Sequence, residues 1–219
     1  MKKFIALLFL AGPCFGAVNV SLLGGGAFPL SDLEIEGGGS EKIGESGGAI
    51  GVQLMVPIDE QISVGFDFLN QAFGEKKSDS LIPTARTTYQ FSSRTFLAGV
   101  RYTMKKEKWH PFLFGGLGVG YLSGTADLEP AAGYIWSDTG TAEKRKILDD
   151  SGAAAAVALA FGADYAVTPR FSFGAEGRFS YIGKTTFTTR SISTTTSTVG
   201  EIKGNSSSFA LLARGTLHF

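Results

Sequence analysis

Bulky apolar residues alternate with small or polar ones along most of this chain, at a period of two. The last eleven residues show it best. Phe209, Leu211, Ala213, Gly215, Leu217 and Phe219 form one row, and Ala210, Leu212, Arg214, Thr216 and His218 form the other. A period of two belongs to β-strands, whose successive side chains point to opposite faces. The same split recurs in Val18–Leu22, Ile50–Val56, Ile62–Phe68, Phe96–Tyr102, Val157–Tyr165 and Phe171–Tyr181. An eighth segment, His110–Leu122, is ambiguous. Leu113, Leu117, Val119 and Tyr121 make a plausible outer row, which turns Phe112 and Phe114 inward with Gly116, Gly118 and Gly120. The alanines from Ala153 favour a helix by propensity, but they run on into FGADYAV between strands, which argues for a strand.

The connections alternate in length. Pro57–Gln61, Met104–His110 and Val167–Arg170 are short, whereas Leu30–Ser46, Gly74–Tyr89, Gly124–Asp150 and Gly183–Gly204 are long and polar. This rhythm predicts an up-and-down antiparallel meander in one domain. Soluble sandwiches and carriers turn their apolar rows inward. Here the apolar rows are bulky and free of Asp, Glu, Lys and Arg, while the partner rows are mostly Gly, Ala, Ser and Thr. A closed barrel of about eight strands has an interior just wide enough for side chains to fill. Small residues and paired charges suit that interior, and bulky apolar rows suit lipid. Closure also satisfies every backbone donor and acceptor where water is absent. The sequence therefore predicts an all-β fold, an eight-stranded antiparallel transmembrane β-barrel. An even strand number puts both ends and the short turns on the periplasmic side. Tyr102, Trp109, Tyr165, Phe171 and Phe219 then mark an aromatic belt there.

The start of the chain reads as an address. Met1-Lys2-Lys3 is basic, Phe4–Gly12 is an apolar run too short to span a bilayer as a helix, and Cys14-Phe15-Gly16 ends in small residues at the positions a signal peptidase reads. Residues 1–16 are expected to be a cleaved signal peptide and residues 17–219 the barrel. A lipid anchor on Cys14 is disfavoured by Pro13, where a lipobox has a small residue. Twenty basic residues balance twenty acidic ones, without the basic excess of a nucleic-acid binder. One cysteine forbids an intrachain disulfide, and two histidines leave little for a metal centre.

These features resemble the small eight-stranded outer-membrane barrels of Gram-negative bacteria, of the OmpA transmembrane-domain and OmpX kind. The resemblance covers essentially all of the chain after residue 16. Its most specific mark is terminal Phe219 with Leu217, Gly215 and Leu211 on one face, similar to the signal that the barrel-assembly machinery reads. It implies a bacterial outer-membrane location, with outer-membrane lipid and the assembly machinery as partners.

Six charges fall on inward rows: Asp67, Arg101, Asp164, Glu176, Arg178 and Arg214. A buried charge needs a partner, and adjacency suggests Asp67 with Arg101, Asp164 with Arg178, and Glu176 with Arg214. They read as an interior ion-pair network, either a static plug or a gate whose partners exchange. No catalytic constellation is expected, since His110 and His218 both fall at the periplasmic end. No cofactor or metal is expected. The Gly116, Gly118, Gly120 cluster lacks the Lys-Ser/Thr and helix of a phosphate loop. Asp32, Glu34, Glu36 and Glu41 read as a solvated acidic loop. Tyr134, Ile135 and Trp136, in the longest loop, form a candidate contact patch for an extracellular ligand.

The leading expectation is a monomeric surface barrel with a structural and surface-interaction role and a lumen plugged by side chains. A small-solute, porin-like channel is the alternative, and a soluble lipocalin-like carrier is a lesser one.

Overall fold

In the computed structural model, residues 17–35, 40–42, 44–79, 85–104, 107–131, 135–136, 141, 143–192 and 197–219 are described. The strands are β1 (Asn19–Pro29), β2 (Asp32–Ile35), β3 (Ser40–Lys42), β4 (Glu45–Pro57), β5 (Ile62–Gly74), β6 (Lys76–Asp79), β7 (Ala85–Thr103), β8 (Trp109–Pro130), β9 (Arg145–Thr168), β10 (Phe171–Ile192) and β11 (Ser197–His218). Eight of them form a ring in the order β1-β4-β5-β7-β8-β9-β10-β11, closed by antiparallel pairing of β11 with β1. The closing seam runs from Asn19↔His218 to Pro29↔Ser208 without a break in register. The short strands β2 and β3 extend the wall beside β11, and β6 does so beside β7.

The bulky rows face outward. Leu117 is 70% exposed and Leu159 67%, with Phe66, Phe96, Val100, Leu113, Phe161 and Phe173 also exposed. A soluble carrier would bury these rows, so the lipocalin-like reading fails. At the short-turn end Trp109, Tyr165 and Phe173 stack in sequence, with ring centroids 5.1 and 5.7 Å apart. Tyr102, Phe171 and Phe219 are exposed at the same end, as an interfacial aromatic belt requires. The ambiguous eighth segment resolves as β8, with Phe112 and Phe114 buried inside and Leu113, Leu117, Val119 and Tyr121 outside. The alanine run is strand, within β9.

The long polar connections are shorter than the sequence suggested. β8 reaches Pro130, β9 begins at Arg145, β10 runs to Ile192 and β11 begins at Ser197. Much of Gly124–Asp150 and Gly183–Gly204 is therefore paired strand that continues the barrel wall. In the second of these the threonines explain this, since β-branched residues favour strands whether or not the face is apolar. Thr185 to Ile192 is laddered to β11 through Thr185↔Gly204 and Ile192↔Ser197.

Leu159 projects from the outward row of β9, beyond Tyr165 toward the bilayer interior. Leu159→Arg is expected to destabilise the folded barrel by about 2–4 kcal/mol. Reversible urea unfolding in lipid vesicles measures this, and inward-facing Ala158→Ser serves as the control.

Candidate functional site: the barrel interior

All six inward charges are buried, and they form one chain of alternating sign. Arg101 pairs with Asp164. Asp164 Oδ1 lies 3.2 Å from Arg214 Nε, and Arg214 Nη1 donates to Glu176 Oε2 at 2.8 Å. Arg178 Nε donates to the other oxygen of Glu176 at 2.7 Å. Arg178 then grips Asp67 with both Nη atoms, at 2.6 and 2.8 Å. Gln53 closes part of this chain into a ring: its Nε2 donates to Asp67 Oδ2 at 3.1 Å, and its Oε1 accepts from Arg214 Nη2 at 2.9 Å. The same Arg214 nitrogen donates to Ser21 Oγ, which also shares a hydrogen bond with Thr216 Oγ1. The inward aromatics serve the cations. Phe112 lies under Arg101 at 3.9 Å and Arg214 at 4.8 Å, and Phe114 lies 5.5 Å from Arg178, within the range of a cation–π contact.

Of the three pairings suggested by adjacency, Glu176 with Arg214 forms. Asp67 with Arg101 and Asp164 with Arg178 do not. The register explains this. Asp67 sits opposite Leu97, whereas Arg101 sits opposite Ser63. Asp164 sits opposite Gly174, whereas Arg178 sits opposite Ala160. Each expected pair is thus offset by four residues along the strands, roughly 13 Å. The contact from Arg178 to Asp67 crosses the lumen instead.

Toward the long-connection end the interior changes character. Leu23, Leu69, Phe73, Phe91, Leu122, Leu148, Phe187 and Leu212 form one buried apolar cluster, with the Phe91 and Phe187 rings 6.2 Å apart and steeply inclined. Ser93 and Ser208 both donate to Gln71 Oε1 at 2.9 Å, so a polar node joins β5, β7 and β11 within it. Sequence reasoning missed Gln53, Gln71 and this second layer. The available signal was an amide in the middle of an otherwise small or apolar inward row.

The other expected sites lie on the outside. Leu211, Leu217 and Phe219 are exposed on the outward row of β11, with Gly215 between them. Phe219 N donates to Val18 O at 3.0 Å, which ties the last residue to the closing seam. Ile135 is 63% exposed. Trp136 is pinned: its backbone N bonds Thr141 O at 2.8 Å, its Nε1 bonds Glu143 O at 2.7 Å, and Arg145 covers the ring at 4.6 Å. Tyr134 and Glu36 lie outside the described residues, while Asp32, Glu34 and Glu41 fall in β2 and β3. Among the described residues no group of His, Cys, Asp and Glu is arranged to hold a metal.

A sealed eight-stranded ring with an apolar exterior and a charged interior defines a transmembrane β-barrel. The chain belongs to the outer membrane protein beta-barrel domain family, whose model matches residues 5–201, and its location is the bacterial outer membrane. No curated protein matches it in sequence. Its fold is similar to that of Neisserial surface protein A, with 19% identity, TM-score 0.51, and 93% of this chain and 99% of that one covered. It is also similar to a major outer membrane protein from Thermus thermophilus, at 12% identity and TM-score 0.54, covering 93% and 100% of the two chains. The outer membrane protease OmpT from Escherichia coli matches at 13% identity and TM-score 0.50, with 93% and 97% covered. At these identities the likeness is one of fold.

Arg178→Met removes the cation that pairs Asp67, leaving that buried carboxylate with Gln53 alone, and takes one of the two arginines from Glu176. It is expected to cost about 3–5 kcal/mol of stability, and the further change Asp67→Leu to recover part of it; chemical unfolding in lipid checks both. In the turn between β4 and β5, Asp59 Oδ1 accepts from the backbone N of Gln61 at 2.7 Å and of Ile62 at 2.6 Å. These bonds favour the ionised carboxyl and hold its pKa below the usual carboxylate range. The turn's stabilisation is therefore present above the ordinary carboxylate pKa and is lost as pH falls through the lowered folded value. An NMR titration should show the Gln61 and Ile62 amides shifting together at that low midpoint. Asp59→Asn should abolish the step.

Proposed function

We propose that this barrel is a structural and surface-interaction protein of the outer membrane, with a lumen closed by side chains. The supporting observation is the stacking of two buried layers, one ionic and one apolar, in one interior. The ionic chain, in which the three arginines are each paired with a carboxylate, lies toward the short turns. The apolar cluster around Phe91, Leu122 and Phe187 lies toward the long connections. A conducting path would need both to open, and the apolar layer holds no charge whose exchange could drive that.

On this reading the chain is not an enzyme and acts as a monomer, since ring closure leaves no barrel strand to pair with a partner. Residues 1–16 serve as a cleaved signal peptide. Leu211, Gly215, Leu217 and Phe219 engage the barrel-assembly machinery. The extended outer strands and their connections, with Ile135 and Trp136 at the surface, carry recognition of an extracellular ligand. Binding residues concentrate on such connections above a rigid scaffold.

The deciding experiment is single-channel recording of the folded protein in a planar bilayer. No discrete conductance steps are expected from protein shown to be inserted and folded. Reproducible steps would overturn the plugged reading in favour of a small-solute channel.

A further inference from the structure

The outside of the barrel is not uniform. Most outward rows are bulky, but one row in the short-turn half is small across several adjacent strands. Ala163, Ala175, Ala213 and Gly24 sit side by side on β9, β10, β11 and β1. On the next row away from the turns, Phe161 and Leu211 stand exposed on either side of Gly177. The Phe161 ring leans over Gly177, where an added Cβ would lie 2.9 Å from it. Together these residues form an apolar slot of about 480 Å³ over Ala175, Gly177 and Ala213. It lies on the bilayer side of the belt residues Tyr165, Phe171 and Phe173.

Two further features fall on the same sector of the wall. The stacked rings of Trp109, Tyr165 and Phe173 border the slot on its short-turn side. Beneath them the turns carry exposed Lys108 and Arg170, and neither side chain is ion-paired among the described residues. Both turns are fixed to the wall: Lys108 O accepts from Ala166 N at 2.8 Å, and Arg170 O from His218 N at 2.9 Å. The turn on the opposite side of the ring, between β4 and β5, is acidic instead, with exposed Asp59 and Glu60.

We propose that this sector seats one anionic glycerophospholipid of the periplasmic leaflet, with its phosphate at Lys108 and Arg170 and one acyl chain in the slot. A chain lying in the slot gains dispersion contacts from the flanks as well as the floor, whereas a bulky row offers contact on one side. Each cation near the surface favours an anionic headgroup over a zwitterionic one. The acidic turn disfavours the same lipid on the far side, so position around the ring is selected as well as charge. Slot and turns are parts of the hydrogen-bonded wall, which keeps the ordering cost of binding low. The seat does not depend on whether the lumen conducts, because it is built on the outer surface and its turns.

The test uses the folded protein in phosphatidylcholine nanodiscs with a minor fraction of chain-nitroxide phosphatidylglycerol. The same fraction of chain-nitroxide phosphatidylcholine is the comparison. NMR reads the paramagnetic relaxation of the Ala175 and Ala213 methyl groups, with the outward Val64 methyls of β5, across the ring, as the far-side control. Relaxation at Ala213 should be about fivefold stronger from the labelled phosphatidylglycerol, the effect of one surface cation. Val64 should show no such preference. Lys108→Gln combined with Arg170→Gln alters only the turns and should bring the two lipids level at Ala213. Ala213→Phe fills the slot and should lower the relaxation at Ala175 to the level seen at Val64. Should Ala213→Phe not fold, the turn variant decides alone. The proposal is overturned by equal relaxation from the two lipids at Ala213, or by a preference as large at Val64. Survival of the preference in the turn variant, or full relaxation at Ala175 in folded Ala213→Phe, would overturn it as well.

Discussion

Pairing of β11 with β1 is the constraint on which everything else here depends. In lipid there is no water to satisfy a strand edge, so the sheet must close or fail. Closure fixes two surfaces at once, and the period-two alternation then sorts every residue of the spanning segments between them. Leu22, Gly215 and Phe173 lie on consecutive strands and share the outside. One residue further along, Ser21, Thr216 and Ser172 share the inside. A slip of one residue at the seam would invert both surfaces for β1, placing Ser21 in lipid and Leu22 against Arg214. The unbroken register from Asn19↔His218 to Pro29↔Ser208 prevents that slip.

The interior follows from the same closure. Buried arginines and carboxylates cannot be left half-paired, because one desolvated ion without a partner costs more than the pair returns. The alternating chain from Arg101 to Asp67 meets that condition, and it needs space for guanidinium groups and for the rings stacked on them. Glycine supplies the space. A Cβ on Gly99 would collide with the Phe114 ring, and one on Gly162 would lie 2.6 Å from the Phe112 ring. The glycine-rich inward rows are therefore the moulds into which two large inward phenylalanines fit, and those phenylalanines in turn form the bed for the three arginines. The high glycine content and the interior charge are two aspects of one packing solution.

The wall was legible in the sequence because lipid imposes a rule on every second residue. Leu113, Leu117, Val119 and Tyr121 gave the facing of β8 even though Phe112 and Phe114 blurred the polarity contrast. The set of interior charges was legible for the same reason. Their partners were not. Strand adjacency suggested Asp67 with Arg101, but partner choice depends on stagger, and a four-residue offset sends Arg178 across the lumen to Asp67. Gln53 and Gln71 escaped notice because an amide carries no charge to signal its burial. The long connections were misjudged in length for a related reason. Above the membrane the outward row meets water and turns polar, so the contrast in polarity between the two rows fades, and β-branched composition, as in Thr185–Thr189, reports the ladder.

The two ends of the lumen differ because the wall extends to different heights beyond the bilayer. At the short-turn end the ionic groups are buried, and close pairing lowers their cost. At the other end β7 to β11 rise as strands of 19 to 24 residues, well beyond the roughly 9–11 that a bilayer needs. That taller cylinder needs a core of its own to stay closed outside lipid. The cluster of Phe91, Leu122, Leu148 and Phe187 provides it, holding together by ordinary hydrophobic burial a part of the wall that the membrane does not compress. The apolar layer is thus what allows the outer strands to stand clear of the bilayer as a rigid platform. The connections above it are then free to vary without disturbing the barrel.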